Sequence, residues 1–386
     1  MNTPGKHRVL IVDDSAFMCR VLQSIISADP QLEVVGTARD GREAVTMAEA
    51  LKPDVITMDI NMPHVDGLQA TEVIMSTNPR PILIVSSESR DGADPTLKAL
   101  ELGAIDFVTK PSAAVDLDMN TVREELCRKL KLAAKVRVVR NASRAAATVQ
   151  VSASVRPTVA SSAPVIAKAA TPAPAAPSAS FSSATRDGAK LPVVVIAAST
   201  GGPQVLMQLV PKFPRNFPGA VVLIQHMPGA FTSRFSQQLG EIAALGVKEA
   251  EQGELMRAGT LYVCPGSHHL RVSPTGRITL DDGPRVAGYR PCADLAMETI
   301  ASFAGPLATS VVLTGMGGDG SRGILSVKNA GGYVLAQNEA TSVIFGMPSE
   351  AIRTGAVDQV LPLDEIYSAI EKRLLYVFGA QKVGAL

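Results

Sequence analysis

Ser199, His226 and Asp319 each stand just beyond an apolar run. Val193-Val194-Val195-Ile196 passes through Ala197-Ala198 into Ser199-Thr200-Gly201-Gly202-Pro203. Ala220-Val221-Val222-Leu223-Ile224 passes into Gln225-His226-Met227, and Ser310-Val311-Val312-Leu313 into Thr314-Gly315-Met316-Gly317-Gly318-Asp319-Gly320. A serine hydroxyl is a poor nucleophile until a base takes its proton. Histidine is the natural base near neutral pH, and a carboxylate orients the imidazole and stabilises its charged form. The glycines after Thr314 would let backbone N–H groups approach a substrate oxygen. The amides of Thr200 and Met316 are therefore candidate oxyanion donors, each worth about 10²–10³ in turnover where such donors have been removed. On its own stretch Ser199 reads equally as the cap of the next helix, and the glycine run as a turn or a phosphate cradle. No Lys-Ser/Thr follows that run, which argues against a nucleotide P-loop. The serine also lacks the G-x-S-x-G setting, and the order Ser, His, Asp differs from the familiar hydrolase orders. Cys264 and Cys292 are rival nucleophiles, and His269 and Asp294 rival members of the triad.

A second constellation lies in the first third of the chain. Asp13, Asp14, Asp59, Ser86 and Lys110 also follow apolar runs. Three converging carboxylates repel one another and hold on to protons unless a cation is present. A hard divalent ion such as Mg²⁺ resolves that repulsion. It would also neutralise an incoming phosphoryl group, with Lys110 adding a second positive charge.

Both sets require strands that end on one edge. Residues 8–12, 33–35, 54–58, 81–85 and 105–108 read as strands, with helical patterns over 16–28 and 41–51. That alternation predicts a parallel sheet with helices on both faces. From Leu191 the alternation returns, predicting a doubly wound, mostly parallel α/β unit. Residues 260–264 and 277–280, either side of Pro265-Gly266, read as a hairpin, with His268 and His269 in its loop. Between these units, Ala, Ser, Pro and Thr dominate, as in TPAPAAPSAS. Such a stretch cannot offset its ordering entropy and reads as a tether. The expected division is 1–125, a linker at 126–190, and 191–386.

Bulk properties exclude several classes. The formal net charge is +1, which offers no global field for nucleic acid. No apolar run approaches the length of a membrane span, and the N-terminus reaches Asp13-Asp14 before a signal-peptide core forms. The four cysteines lack metal-ligand spacing and suit buried thiols in a cytoplasmic protein.

The first unit resembles the CheY-like response-regulator receiver domains, on VDDS, MDINMP, the Ser86 position and FVTKP. The resemblance implies a five-stranded parallel sheet and phosphorylation at Asp59. It implies Mg²⁺ held by Asp14, Asp59 and the Asn61 backbone carbonyl, with Asp13 in the outer shell. Ser86 and Lys110 would contact the phosphoryl group, and Phe107 would be the aromatic switch. Residues 191–380 resemble the CheB family of chemotaxis methylesterases, on ASTGGP, QHM, YRPCADLAM, LTGMGGDG and AQNEATSVIFGMP. That implies hydrolysis of glutamate γ-methyl esters on methyl-accepting chemoreceptors, releasing methanol, and deamidation of certain glutamines. Ser199 would be nucleophile, His226 general base and acid, and Asp319 the orienting carboxylate, with no cofactor for hydrolysis. A chemotaxis histidine kinase would supply the phosphoryl group, and the unphosphorylated receiver would cover the catalytic cleft. Ala197 departs from the glycine that many relatives carry. A response regulator that only docks to receptor arrays is the competing reading, and a DNA-binding output lacks a basic recognition helix.

Overall fold

The computed structural model describes residues 5–86, 90–110, 119–136 and 191–383. Most of the linker expected over 126–190 lies outside the described residues. In the first unit, β1 (His7–Val12), β2 (Leu32–Ala38), β3 (Val55–Met58), β4 (Ile82–Ser86) and β5 (Asp106–Thr109) form a five-stranded parallel sheet ordered β2-β1-β3-β4-β5. Helices α1 (Ala16–Ser27), α2 (Gly41–Leu51), α3 (Gly67–Thr77), α4 (Arg90–Leu102) and α5 (Met119–Ala133) alternate with these strands. Asp40 and Asp66 start α2 and α3 by accepting from the Glu43 and Gln69 amides at 2.8 Å, which satisfies first-turn donors. Helix α5 runs past residue 125, and Leu126, Cys127, Leu130 and Ala133 pack into the same core as Ile25 and Ile26 of α1.

The second unit has a seven-stranded sheet, parallel throughout. Its strands are β6 (Val193–Ala198), β7 (Ala220–Gln225), β8 (Gly246–Glu249), β9 (Thr260–Val263), β12 (Ala308–Val312), β13 (Tyr333–Gln337) and β14 (Gln359–Leu361). The order is β14-β13-β12-β6-β7-β9-β8. Both β6 and β7 are buried along their whole length, as a sheet covered on both faces demands. The covering helices include α6 (Gly202–Leu209), α7 (Gly229–Ile242), α8 (Ala293–Ala304), α9 (Gly323–Asn329), α10 (Met347–Arg353) and α11 (Leu363–Val383). From β6 the chain winds one way to β7, β9 and β8, then the other way to β12, β13 and β14. The crevice between the loops after β6 and β12 is the topological switch point, where open α/β sheets bind ligands.

The hairpin differs from the expected one. Residues 260–263 join the large sheet beside β7 rather than pairing with 277–280. The hairpin is β10 (His269–Val272) against β11 (Ile278–Asp281). Its turn is Ser273-Pro274-Thr275-Gly276, closed by Ser273 and Gly276 backbone bonds. Leu261, Tyr262 and Val263 are buried, so this run takes an interior place in the sheet. His269 consequently lies within a strand, buried, and not in a loop.

Phe213 is fully buried, with ring centroids 5.1 Å from both Phe217 and Tyr367, and so ties α11 to the segment before β7. Phe213→Ala should destabilise the second unit by about 3–5 kcal/mol, the usual cost of an aromatic-sized cavity. Urea unfolding with the midpoint shifted down and the slope kept would show it. An unchanged midpoint would mean that this aromatic group is not holding α11.

Candidate active site

Backbone register brings Ser199 and His226 together. Ala198 of β6 pairs with Gln225 of β7, so the next residue on each strand lies at the same level. The His226 amide donates to Ala198 O at 3.0 Å, and the Ser199 amide to Thr314 O at 3.0 Å. Neighbouring strands lie about 4.8 Å apart. The serine is thus flanked by the histidine on one side and the Thr314–Gly320 loop on the other. Two buried glutamines brace this edge. Gln225 Nε2 donates to Ser199 O at 3.0 Å and to His226 O at 3.1 Å, while Gln337 Oε1 accepts from the Thr314 amide at 2.8 Å.

Ser199 does not cap the following helix. The residue in that place is Gly201, and α6 has no side-chain cap. Among the described residues the Ser199 hydroxyl makes no hydrogen bond.

His226 Nε2 lies 2.7 Å from Asp319 Oδ2. The carboxylate accepts, so Nε2 carries the proton and Nδ1 keeps its lone pair. Nδ1 is buried and has no partner, which leaves its lone pair free to accept a proton. Asp319 is held from several directions. The Ala293 amide donates at 2.7 Å, the Asp294 amide at 3.0 Å, the Gly320 amide at 3.0 Å and the Cys292 thiol at 3.2 Å. Burial alone would raise the pKa of Asp319, but His226 and the Ala293 and Asp294 amides together lower it. A depressed folded pKa means that this carboxylate contributes stability above the ordinary carboxylate range. The contribution is lost as the pH falls through the folded value.

Thr200 and Met316 are buried beside the serine. Among the described residues neither of their amides donates a hydrogen bond, so both are available to an oxyanion. The rival residues have other work. Burial pushes the Cys264 thiol up, and Cys292 up to about 12, so neither is a ready thiolate. His269 Nε2 bonds to Pro284 O at 3.0 Å. Asp294 accepts from the amides of Gly320, Arg322 and Gly323 at 2.7–3.0 Å and so fixes the loop that carries Asp319.

At the receiver edge, Asp13 and Asp59 are buried and Asp14 is exposed. Lys110 Nζ lies 2.8 Å from Asp59 Oδ2 and 3.0 Å from Asp13 Oδ2. Burial raises the pKa of Asp59 against the pull of Lys110. Burial opposes the charge on Lys110, yet Asp59 and Asp13 raise its pKa. One oxygen from each of Asp13, Asp14 and Asp59 lies within 4.8 Å of the others. Asp13 Oδ2 has no aligned hydrogen bond despite its nearness to Lys110. One ammonium leaves net negative charge among three carboxylates, and the oxygen-only donor set fits a small hard cation. Asn61 is exposed just past Asp59. Ser86 ends β4, and its hydroxyl accepts from Thr96 at 2.8 Å.

The two edges meet. Thr200 Oγ1 donates to Asp106 Oδ2 at 2.5 Å, and Lys129 Nζ lies 3.0 Å from the same oxygen. The ring of Phe107 lies 4.5 Å from that of Phe231 on α7, with Lys129 Nζ 5.5 Å over the Phe107 centroid. Gln204 Nε2 donates to Ala104 O at 2.6 Å, and Arg234 pairs with Asp94. The sequence pointed to Phe107 but not to Asp106, Gln225 or Tyr289, whose ring stacks on His226, and it offered Cys292 as a nucleophile where the thiol instead donates to Asp319. Tyr289 and Cys292 lie in YRPCADLAM, so the motif marked the segment without separating their roles.

A family model described as CheB methylesterase matches residues 194–370, and one described as response regulator receiver domain matches residues 9–123. The chain is 42% identical over 387 residues to a protein-glutamate methylesterase/protein-glutamine glutaminase of Pyrococcus abyssi, spanning 99% of this chain and 97% of the relative. A relative of the same description in Symbiobacterium thermophilum is 41% identical over 367 residues, spanning 95% and 96%. The crystal structure of the Thermotoga maritima CheB methylesterase catalytic domain is 38% identical, with a TM-score of 0.46, and the match covers 49% of this chain and 100% of that one.

The close approach at Gly315 tests the serine's setting. A Cβ there would lie 2.4 Å from Met347 Sδ, 2.8 Å from Ser199 Cβ and 3.0 Å from Ser199 N. The methionine can give way, but Ser199 is fixed by its backbone bonds to Thr314 and Gln225. Gly315→Ala should cut turnover by about 10²-fold, the scale of an ångström-level misplacement, with the thermal melt little changed. Wild-type turnover in that variant would show that Ser199 has room to spare.

Proposed function

This chain belongs to the CheB methylesterase family, and from that premise we propose how its own residues carry out and control the reaction. It is a receiver-bearing protein-glutamate methylesterase and protein-glutamine glutaminase. The catalytic assignment is Ser199, His226 and Asp319. The observation that carries it is the 2.7 Å bond from His226 Nε2 to Asp319, which leaves Nδ1 unpartnered beside the Ser199 strand end.

Ser199 Oγ attacks the γ-carbonyl carbon while His226 Nδ1 takes its proton. The carbonyl π pair moves onto oxygen, where the Thr200 and Met316 amides receive the charge. As the carbonyl re-forms, the C–O bond to the methoxy group breaks. His226 gives that group the proton, and methanol leaves. Water then attacks the acyl-serine, His226 takes a proton from it, and the same proton returns to Ser199 as glutamate departs. With a glutamine side chain the leaving group is ammonia and the rest is unchanged. Asp319 stays ionised and steadies the imidazolium in each half. The substrates we assign are glutamyl methyl esters and glutamines on chemoreceptors, met in the cytoplasm. Among the described residues no helix is long and apolar enough to cross a membrane.

Control is assigned to Asp59, phosphorylated by a chemotaxis histidine kinase. Asp14, Asp59 and the Asn61 carbonyl would hold Mg²⁺, with Asp13 behind them, and Ser86 and Lys110 would contact the phosphoryl group. When bound, the ion supplies charge neutralisation at the phosphoryl oxygens. The receiver's inhibitory hold on the site is supported by the Asp106–Thr200 bond and the Phe107–Phe231 contact. A carboxylate beside the oxyanion donors is electrostatically hostile to the charge that catalysis must develop there.

Methanol release from methylated receptors, with and without a small-molecule phosphodonor, tests both parts. Ser199→Ala should abolish release while the fold is kept. Wild-type release by that variant would sink the triad. Asp106→Ala should raise the rate without phosphodonor by about tenfold, the scale of one charge-assisted hydrogen bond, and shrink the response to phosphodonor. A basal rate no different from wild type would remove Asp106 from the inhibitory contact.

A further inference from the structure

Tyr289 stands against the catalytic histidine although it belongs to none of the strand-end sets. Its ring centroid is 4.6 Å from that of His226, with the planes 17° apart. A tight turn places it there. Val286 and Tyr289 exchange backbone bonds at 3.0 and 2.9 Å, and Ala287 and Gly288 between them have φ of 52° and 89°. Arg290 next to it is tied by its guanidinium to Asp282 O and Gly283 O, both at 2.9 Å. The phenol end is equally constrained. At Gly317, where φ is 86°, an added Cβ would meet Tyr289 Oη at 1.9 Å. One side chain therefore covers a face of the imidazole and rests on the loop whose Met316 amide is an oxyanion donor.

We infer that Tyr289 is a positioning residue for hydrolysis, holding the plane of His226 and favouring its cationic form with the face of the phenol ring. This rests on the Ser199–His226–Asp319 reading. The bond to Asp319 anchors the imidazole at Nε2 but leaves the ring able to tilt about that anchor. A ring stacked on its face removes the tilt and fixes the direction in which the unpartnered Nδ1 is presented. The neutral imidazole gains packing from this contact. The imidazolium also gains attraction to the aromatic face, and it forms only as the reaction proceeds. An interaction stronger in the transition state than in the ground state raises kcat and leaves KM largely alone.

The test is steady-state methanol release by the full chain, with phosphodonor and methylated receptor. Tyr289→Leu keeps apolar bulk without a π face, and Tyr289→Gln replaces it with a side chain suited to a half-exposed turn. Both should lower kcat by about tenfold, with KM within about twofold. Tyr289→Phe keeps the ring and should hold kcat within about twofold of wild type. Wild-type kcat in both the Leu and Gln variants would overturn the inference. So would a loss in the Phe variant as deep as in the Leu variant, because the hydroxyl would then be the active part. A raised KM with unchanged kcat would make Tyr289 a substrate contact and overturn it too. Ser199→Ala runs alongside. If it is inactive while Tyr289→Leu and Tyr289→Gln turn over normally, only the role of Tyr289 falls. If it is fully active, the triad falls, and this inference with it.

Discussion

An ionised carboxylate buried at Asp319 is the constraint around which the second unit is arranged. Removing that charge from water without partners is prohibitive, so the chain must meet it with donors. The start of α8 supplies the Ala293 and Asp294 amides and the Cys292 thiol, at the positive end of the helix. His226 arrives from the other flank of β6. A second buried carboxylate, Asp294, collects the amides of Gly320, Arg322 and Gly323. The two acids thus stitch the glycine-rich loop to α8, and the loop holds its amides ready before any substrate arrives. Such preorganisation is what makes fixed dipoles effective in catalysis.

The receiver unit meets the same problem differently. Asp13 and Asp59 are also buried at strand ends, but each takes a single local amide, from Ser15 at the start of α1 at 3.0 Å and from Ile60 at 2.8 Å. Lys110 comes between them from the end of β5. One ammonium against two buried carboxylates and a third nearby leaves the edge electrically unfinished. That incompleteness suits the cation and the phosphoryl group proposed for this edge. The triad, which keeps its charge partners throughout, is by contrast closed.

Much of this was legible because the period and content of buried parallel strands are plain in sequence. Val193–Ile196 and Ser310–Leu313 read as strands, and Ser199 and Asp319 beyond them became site candidates only when taken together with His226. Three things resisted. The run at 260–263 carries no mark of its partner strand, so Pro265-Gly266 reads as a hairpin turn, while the turn lies at Ser273–Gly276. Cys292 and Asp294 resembled rivals to the triad because local sequence does not show that a helix start will be aimed at a distant loop. Tyr289 and Asp106 lie on irregular chain or inside a strand, and their importance arises from contacts made across long sequence separations. Side chains that serve another element have no local periodicity to report them.

The proposed coupling between the two units depends on how little chain separates its ends. Asp106, Phe107 and Lys110 lie on or just past β5, which pairs with β4 up to Ser86. Lys110 lies against Asp59 and Asp13, at the edge proposed to take the phosphoryl group, whereas Asp106 and Phe107 contact Thr200 and Phe231. A shift of this single strand therefore alters both sets of contacts at once. Lys129 adds to the coupling, since it touches Asp106 and lies over Phe107 while Glu125 pairs with it. Burial opposes its charge, but Asp106 and Glu125 keep its pKa raised, so the group remains cationic. An aromatic ring drawn away from Phe231 gives up packing and also part of the cation's setting, which weakens the hold of Asp106 on Thr200. Phosphorylation need then favour the released arrangement by only the differential energy of these few contacts. The serine itself need not move, because Gln225 and Thr314 hold its backbone from within its own unit.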